Sequence, residues 1–435
     1  SNDDAEQNFP GSGPLGFDRW DLLYPLAPKP LLVSVSDRDY FGTYSPNYIA
    51  NGWEEFQKLR RVYSVLGHGD LIAWGGTPLP HGLSYDTRLL VYDWFARWLK
   101  GEAAHVTAEP PTALEPDQTL WASSSGNVVR SMASETPFSL TLARAPKTRG
   151  GGGWKELLGS EMPARGVRAR VLKQVPSAVC EIEALDIPSA PRVWLPAWLF
   201  RPKKGTPVKS LLVLLEPSGR NGHWQEDGLY QTLAAEGHVV CAPDVRGVGD
   251  LTPEIARGAA AHAKRATSEE EWAWGSLVLG RPLLGQRVTD ALAVTAALRN
   301  HDGLAGHAPV LAAHGKMTVV AQFAAALDSG IAGVYLAGGL LSFRNILETE
   351  NYTHPFANFV PGILGHTDLP DLPLPKFLLL AGVVDAADRP VPLRSVQAAY
   401  GSKPGVETAA EGRWDAATLA QIATGHLPTS QTSSS

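Results

Sequence analysis

The stretch that most constrains the fold runs from Pro309 to Asp328. It opens with a short apolar run at 310–313, which predicts a buried strand. The residues His314-Gly315-Lys316 break that run, and apolar side chains at helical spacing follow. A buried strand that turns sharply into a helix is the building unit of a parallel sheet. The stretch therefore predicts an α/β fold, although by itself it also fits an ordinary strand-to-helix turn.

The composition predicts a packed globular chain with more than one folding unit. The chain has 435 residues, too many for one ordinary domain, and 44% of them are hydrophobic. The formal net charge is −6 and no long basic run occurs, so neither nucleic acid nor a membrane is expected as a partner. No apolar run reaches the length of about 18 residues that a spanning helix needs. The two cysteines, Cys180 and Cys241, exclude a disulfide framework.

The first part of the chain carries acids and a histidine, each placed after a predicted strand. Asp37 and Asp39 follow a strand at residues 30–35. His81 follows a second, shorter strand at residues 70–74, after a glycine-rich loop. A helix is predicted after each of these loops. An acid and a histidine are the two groups that activate a serine nucleophile in a catalytic triad.

The organisation of the chain is expected to be a partial unit, a linker, a complete unit and a tail. Residues 1–105 form the partial unit. Residues 106–165 begin with prolines and end near a glycine run, which predicts a linker with one or two short strands. Alternating strands and helices begin again in residues 166–425. The polar residues 426–435 are predicted to be disordered.

Three features of the complete unit carry functional information. The sequence Asp244-Val245-Arg246-Gly247-Val248-Gly249 follows a buried strand as a D-x-R-G-x-G motif. A later strand at residues 376–384 ends in Asp385, and the last predicted strand is followed by Arg413.

Several of these segments resemble the α/β hydrolases, and among them the bacterial acetyl-xylan-esterase-like carbohydrate esterases. The D-x-R-G-x-G motif is a specific marker of the hydrolases. The segments that resemble the esterase family are DDAEQNFPG at 3–11, PHGLSYDTRLLVYDWFARWLKG at 80–101, GRPLLGQR at 280–287, YTHP at 352–355 and FVPGIL at 359–364. The resemblance implies an α/β-hydrolase fold, with a mostly parallel sheet flanked by helices. It also implies a tandem arrangement of the C-terminal part of one copy followed by one complete but degenerate copy.

For the first copy, the resemblance implies two members of a catalytic triad. In these hydrolases the acid follows the penultimate strand and the histidine follows the last one. Asp39 matches the acid position, with Asp37 as the alternative, and His81 matches the histidine. The serine of that copy would precede the first residue of this sequence.

For the second copy, the resemblance implies a triad that has lost two members. The G-x-S-x-G elbow of the hydrolases aligns with residues 313–317, so Gly315 stands where the serine belongs. Asp385 matches the acid, and Arg413 stands where the family has its histidine. The acid alone survives, which predicts that this copy has no serine chemistry of its own.

No cofactor and no metal is expected, because the sequence has no HExxH or CxxC spacing and no P-loop or dinucleotide-binding glycine motif. The resemblance implies an ester or acetylated carbohydrate as substrate. It also implies a missing N-terminal polypeptide that carries the serine. The polar N-terminus lacks the regions of a signal peptide, whereas the family resemblance suggests a secreted or periplasmic protein, so the location stays undecided.

The sequence therefore predicts a carboxylic ester hydrolase of the acetyl-xylan-esterase type that is inactive as this chain alone. The family mechanism is serine attack, an acyl-enzyme, and hydrolysis by a water activated at the histidine. Three interpretations stay open. The chain is half of a split or truncated esterase, a non-catalytic pseudohydrolase that acts as a scaffold or glycan-binding module, or a permuted enzyme in which residues 1–105 complete another sheet.

Overall fold

The computed structural model describes residues 9–38, 46–102, 105–145, 153–252 and 268–425. The chain divides into two compact units. The first unit comprises residues 1–135 and 254–271, and the second unit comprises residues 136–253 and 272–435.

The first unit is built on two parallel strands and their flanking helices. The strands and helices in the described part of this unit are β1 (Leu31–Arg38), α1 (Pro46–Val65), β2 (Ile72–Pro80), α2 (Tyr85–Phe95), α3 (Asp117–Leu120) and α4 (Val128–Met132). A π-helical turn, Ala96–Lys100, continues α2. The order strand, helix, strand, helix agrees with the order expected from the sequence.

The two helices cover opposite faces of the small sheet. Consecutive residues of a strand point to opposite faces. The indole of Trp74 on β2 packs against Phe56 of α1, with ring centroids 5.2 Å apart. Its neighbour Gly75 faces α2, where a Cβ atom would lie 2.0 Å from Cδ2 of Leu90. Glycine at this position is therefore what allows α2 to approach the sheet.

The second unit contains one large sheet with helices around it. Its strands are β3 (Arg170–Val175), β4 (Glu181–Ala190), β5 (Val193–Arg201), β6 (Ser210–Leu215), β7 (His238–Pro243), β8 (Pro309–His314), β9 (Gly333–Ala337), β10 (Leu378–Ala381) and β11 (Val406–Ala409). Its helices are α5 (Pro137–Arg144), α6 (Trp154–Leu158), α7 (Leu229–Ala235), α8 (Ser268–Val278, which begins in the first unit), α9 (Leu283–Arg299), α10 (Thr318–Leu327), α11 (Phe343–Leu347), α12 (Leu393–Tyr400) and α13 (Ala416–Ala423).

The strand order of this sheet identifies its fold. From one edge the order is β3-β4-β5-β7-β6-β8-β9-β10-β11. The strand β5 is antiparallel to both of its neighbours, and all pairs from β7 to β11 are parallel. Apart from the added edge strand β3, this is the strand order of the α/β hydrolases. The predicted fold is therefore confirmed for the second unit.

A buried ion pair joins the loop after β7 to the helix α9. The side chain of Arg246 donates to Asp290 from Nη2 at 2.7 Å and from Nε at 3.0 Å. The backbone N–H of Arg246 donates to the same carboxylate at 2.9 Å, and Ser189 on β4 donates to it as well. Arg287 donates from Nε to the Arg246 carbonyl at 2.8 Å. One carboxylate thereby holds β4, the D-x-R-G-x-G loop and α9 together.

The prediction of short strands between residues 106 and 165 is wrong. The described residues of that segment contain four short helices, α3 to α6, and no strand. Two of these helices, α4 and α5, begin at residues whose side chains cap the backbone. Asn127 accepts the N–H of Arg130 at the start of α4, and Thr136 forms a capping box with Ser139 at the start of α5.

We expect Asp290→Ala to lower the free energy of unfolding of the second unit by about 3–5 kcal/mol, because it leaves Arg246 buried without its charge partner. Urea denaturation followed by circular dichroism measures this change. The matched control is Glu161→Gln, which breaks an exposed ion pair with Arg281 in the same unit. Its effect should stay below about 1 kcal/mol. Equal effects of the two variants would contradict the importance of the buried pair.

Candidate functional sites

The first unit places its acid and its histidine at one edge of the small sheet. The strands β1 and β2 run parallel, with Ser36 opposite Thr77 and their last residues also paired. The strand β1 extends to Arg38 and not to residue 35 as expected, so Asp37 lies on the strand itself. Its side chain is exposed. His81 directly follows β2 and is exposed. Asp39 lies outside the described residues.

The loop that carries His81 is held by hydrogen bonds to the start of α2. Arg88 donates from Nη1 to the carbonyl oxygen of Leu83 at 2.7 Å. The same guanidinium makes two hydrogen bonds to the carboxylate of Glu109, at 2.5 and 2.8 Å. Ser84 donates to Asp86, and this bond is the main cause that lowers the pKa of that carboxyl. These contacts fix the backbone immediately after His81.

In the second unit, the turn after β8 has the backbone of a nucleophile elbow. Gly315 follows the last residue of β8 with φ of +53° and leads through a single 3-10 turn into α10. A Cβ atom built on Gly315 would have one neighbour within 4 Å, Cγ of Pro217 at 3.7 Å. The left-handed backbone and the open space are those that the elbow serine requires, but the side chain is absent.

The loop after β6 lies beside this turn. In the hydrolases, the loop after the corresponding strand supplies a backbone N–H to the oxyanion hole. In this chain, Cγ of Pro217, the second residue of that loop, lies 3.7 Å from a Cβ atom built on Gly315.

Asp385 and Arg413, the residues at the expected acid and histidine positions, bind different partners and not each other. Asp385 accepts the backbone N–H groups of Ala387 and Arg389 and the Arg389 guanidinium at 2.7 Å. Burial acts to raise the pKa of Asp385, but these hydrogen bonds outweigh it and lower the pKa. Arg413 is exposed and pairs with Glu411 at 3.1 Å. The acid is therefore not bound to the residue at the histidine position.

A buried carboxylate that the sequence analysis missed lies at the same edge of the sheet. Glu216 follows β6, and its side chain is 4% exposed. Its Oε1 accepts the indole N–H of Trp414 at 2.6 Å and lies 3.4 Å from Nε2 of His223. Burial raises the pKa of Glu216, opposed by the hydrogen bond from Trp414 and by the nearby His223 and His314. In the sequence, Glu216 is marked only as a charged residue that directly follows the apolar residues of β6.

Aromatic rings surround this carboxylate. The imidazole of His314 stacks on Trp414, with centroids 5.5 Å apart, and the ring of Tyr335 stacks on the same indole at 6.0 Å. The hydroxyl of Tyr335 donates to the carbonyl oxygen of Arg413 at 2.6 Å. The loop after β11 is thus held at the carboxyl ends of β6, β8 and β9.

The described residues contain neither a candidate metal centre nor a candidate membrane-spanning helix. No group of three or more histidine, cysteine, aspartate or glutamate side chains there is arranged to hold a metal ion. No helix in the described part of the chain is long and apolar enough to cross a membrane.

The strand order defines the second unit as an α/β-hydrolase fold. No family model and no curated protein matches the chain. Among solved structures, the chain is similar to a protein of Bacteroides fragilis provisionally named an acetyl xylan esterase, with 13% identity, a TM-score of 0.47, and coverage of 63% of this chain and 82% of the other.

Two other solved structures are acetyl xylan esterases. Acetyl xylan esterase 1 from Thermoanaerobacterium sp. is 16% identical, with a TM-score of 0.40, and the match covers 66% of this chain and 92% of the other. The acetyl xylan esterase from Paenibacillus sp. R4 is also 16% identical, with a TM-score of 0.41 and coverage of 65% and 91%. The assignment of the fold rests on the strand order of the second unit.

We expect Glu216→Gln to change the stability of the protein in a pH-dependent way. A carboxyl whose pKa is raised by folding contributes stability below its unfolded pKa, and this contribution is lost as the pH rises through the folded value. Relative to the Gln variant, the native protein should therefore lose stability between acidic and neutral pH. Urea denaturation across that range measures the difference. Glu226→Gln, an exposed residue of the same loop, is the control, and an equal trend there would contradict the assignment.

Proposed function

We propose that the chain is part of a carboxylic ester hydrolase that removes acetyl groups from polysaccharide. The observation that carries the proposal is the parallel pairing of β1 with β2, with an acid on one strand and His81 directly after the other. This is the arrangement that a hydrolase needs at the end of its sheet. The nucleophilic serine is supplied by polypeptide beyond this sequence.

In the proposed mechanism, His81 acts as the general base. Its imidazole takes the proton of the serine hydroxyl as that oxygen attacks the ester carbonyl, and returns the proton to the leaving alcohol. The acid, Asp39 or its alternative Asp37, holds the histidine tautomer and stabilises the imidazolium. A water molecule activated by the same imidazole then releases acetate from the acyl-enzyme.

A second function is favoured by the geometry of the second unit. Its elbow keeps the backbone of a nucleophile site, whereas Gly315 and Arg413 stand where the resemblance expects the nucleophile and the base. Such a unit acts as a pseudohydrolase, either as a scaffold or as a glycan-binding module. The two functions are compatible, because they concern different units of the chain.

We expect this chain alone to have no esterase activity on short-chain aryl acetates, because Gly315 occupies the position of the elbow serine. Spectrophotometric turnover and labelling with a fluorophosphonate measure this. Specific labelling of one serine, together with turnover above that of a His81→Ala variant, would overturn the expectation. Sedimentation with insoluble acetylated xylan tests the second function, which predicts binding without release of acetate.

We expect activity to appear when the missing part of the sheet is supplied. The added probe is a polypeptide with the first six strands of an α/β-hydrolase sheet and a G-x-S-x-G elbow, produced separately. In the resulting complex, His81→Ala should lower turnover by on the order of 10⁴ to 10⁶, as removal of a triad member does.

The matched control for this experiment is His68→Ala, since His68 precedes β2 and lies at the opposite end of that strand. Protection of residues 31–38 from hydrogen exchange reports whether the complex forms. If it forms and His81→Ala changes turnover by less than about tenfold, His81 is not the general base. The resemblance of the first unit would then be one of fold.

A further inference from the structure

The carboxylate of Glu216 has a contact pattern that the proposed functions do not explain. Both of its polar contacts, with Trp414 and His223, use Oε1. None of the described residues donates a hydrogen bond to Oε2, and neither a lysine nor an arginine in the described part of the chain forms an ion pair with this side chain. A carboxylate that is 96% buried therefore has one free acceptor oxygen and no permanent positive charge beside it.

Burial of an anion without a nearby cation is unfavourable. Binding of a positively charged ligand would therefore stabilise the Glu216 carboxylate. The raised pKa of Glu216 has the same cause. A second buried polar group lies in the same region: the hydroxyl of Tyr230 has no hydrogen-bond partner in the described structure. Burial raises the pKa of Tyr230, and the negative charge of Glu216 contributes to that rise. The two groups are thus electrostatically coupled, and both offer an oxygen that can accept.

The backbone at the elbow is open next to the carboxylate. Pro217 adjoins Glu216 in the chain. Apart from the chain neighbours of Gly315, its Cγ is the one described atom within 4 Å of a Cβ atom built on Gly315. Gly315 itself is partly exposed. The indole of Trp414, which donates to Glu216, stacks on the imidazole of His314.

We propose that this place in the second unit is a binding site for a small organic ammonium ion. The ammonium group donates to Oε2 of Glu216, and its short alkyl chain lies above Gly315 against Pro217 and the indole of Trp414. The ligand supplies the positive charge that the buried carboxylate lacks, and the aromatic rings favour a cation over a neutral molecule. The site belongs to the second unit alone and does not depend on the esterase proposal.

The charge of the ligand distinguishes this site from the glycan-binding function. A sugar or another neutral alcohol could donate to Oε2 but would leave the carboxylate uncompensated. A metal ion would need several ligand atoms around it, and the described residues contain no such group. A primary ammonium has three donors and one charge, which fits one acceptor oxygen, one buried negative charge and the nearby hydroxyl of Tyr230.

The test is isothermal titration calorimetry of the full chain at about pH 8 with n-butylammonium chloride, and with butan-1-ol as the uncharged ligand of the same shape. We expect n-butylammonium to bind and butan-1-ol to bind much more weakly. Glu216→Gln should weaken n-butylammonium binding by about thirtyfold or more, the loss typical of removing one member of a buried charge pair. Glu226→Gln, in the same loop but exposed, should leave the affinity unchanged.

A second variant tests the position of the alkyl chain. Gly315→Asn adds a side chain at the elbow, and asparagine tolerates a positive φ, so the fold is retained while binding is blocked. Circular dichroism confirms that each variant is folded. The proposal is overturned if n-butylammonium does not bind, if butan-1-ol or xylotriose binds as tightly, or if Glu216→Gln and Gly315→Asn retain the native affinity.

Discussion

The second unit depends on the buried pair between Arg246 and Asp290. The carboxylate accepts the guanidinium and the backbone N–H of Arg246, and a hydroxyl from β4 as well. A buried ion pair stabilises the folded state when all of its hydrogen bonds are formed, and destabilises the folded state when they are not. The pair therefore fixes the loop after β7 and the almost fully buried helix α9 relative to the sheet.

The ends of β6 and β8 are where the second unit differs most from an active hydrolase. The elbow keeps its left-handed backbone at Gly315, so the turn is intact while the reacting group is gone. Beside it, the loop after β6 carries Pro217, which cannot donate, and the buried carboxylate of Glu216. The same edge of the sheet thus carries a buried acceptor beside a glycine at the turn, and the proposal of an ammonium-binding site rests on this pair of features.

The first unit is constrained by the open edges of its two-stranded sheet. Its two parallel strands are covered on both faces by α1 and α2, yet within the described residues neither strand pairs with a third. Parallel strands normally lie inside larger sheets, because an open edge leaves backbone donors and acceptors unpaired. A further strand is therefore the natural complement of this unit, and this is the physical basis of the proposal that another polypeptide supplies the serine.

The sequence by itself determined the elements whose signals are local. The apolar run before Gly315 predicted β8, and the helical spacing after it predicted α10. Local signals also misled: one or two short strands were expected between residues 106 and 165, whereas Asn127 caps a helix there. The tertiary structure alone decided the surroundings of Glu216, because its hydrogen bond to Trp414 joins residues 198 positions apart. No local pattern encodes such a contact; it exists because parallel strands bring their carboxyl ends to one edge of the sheet.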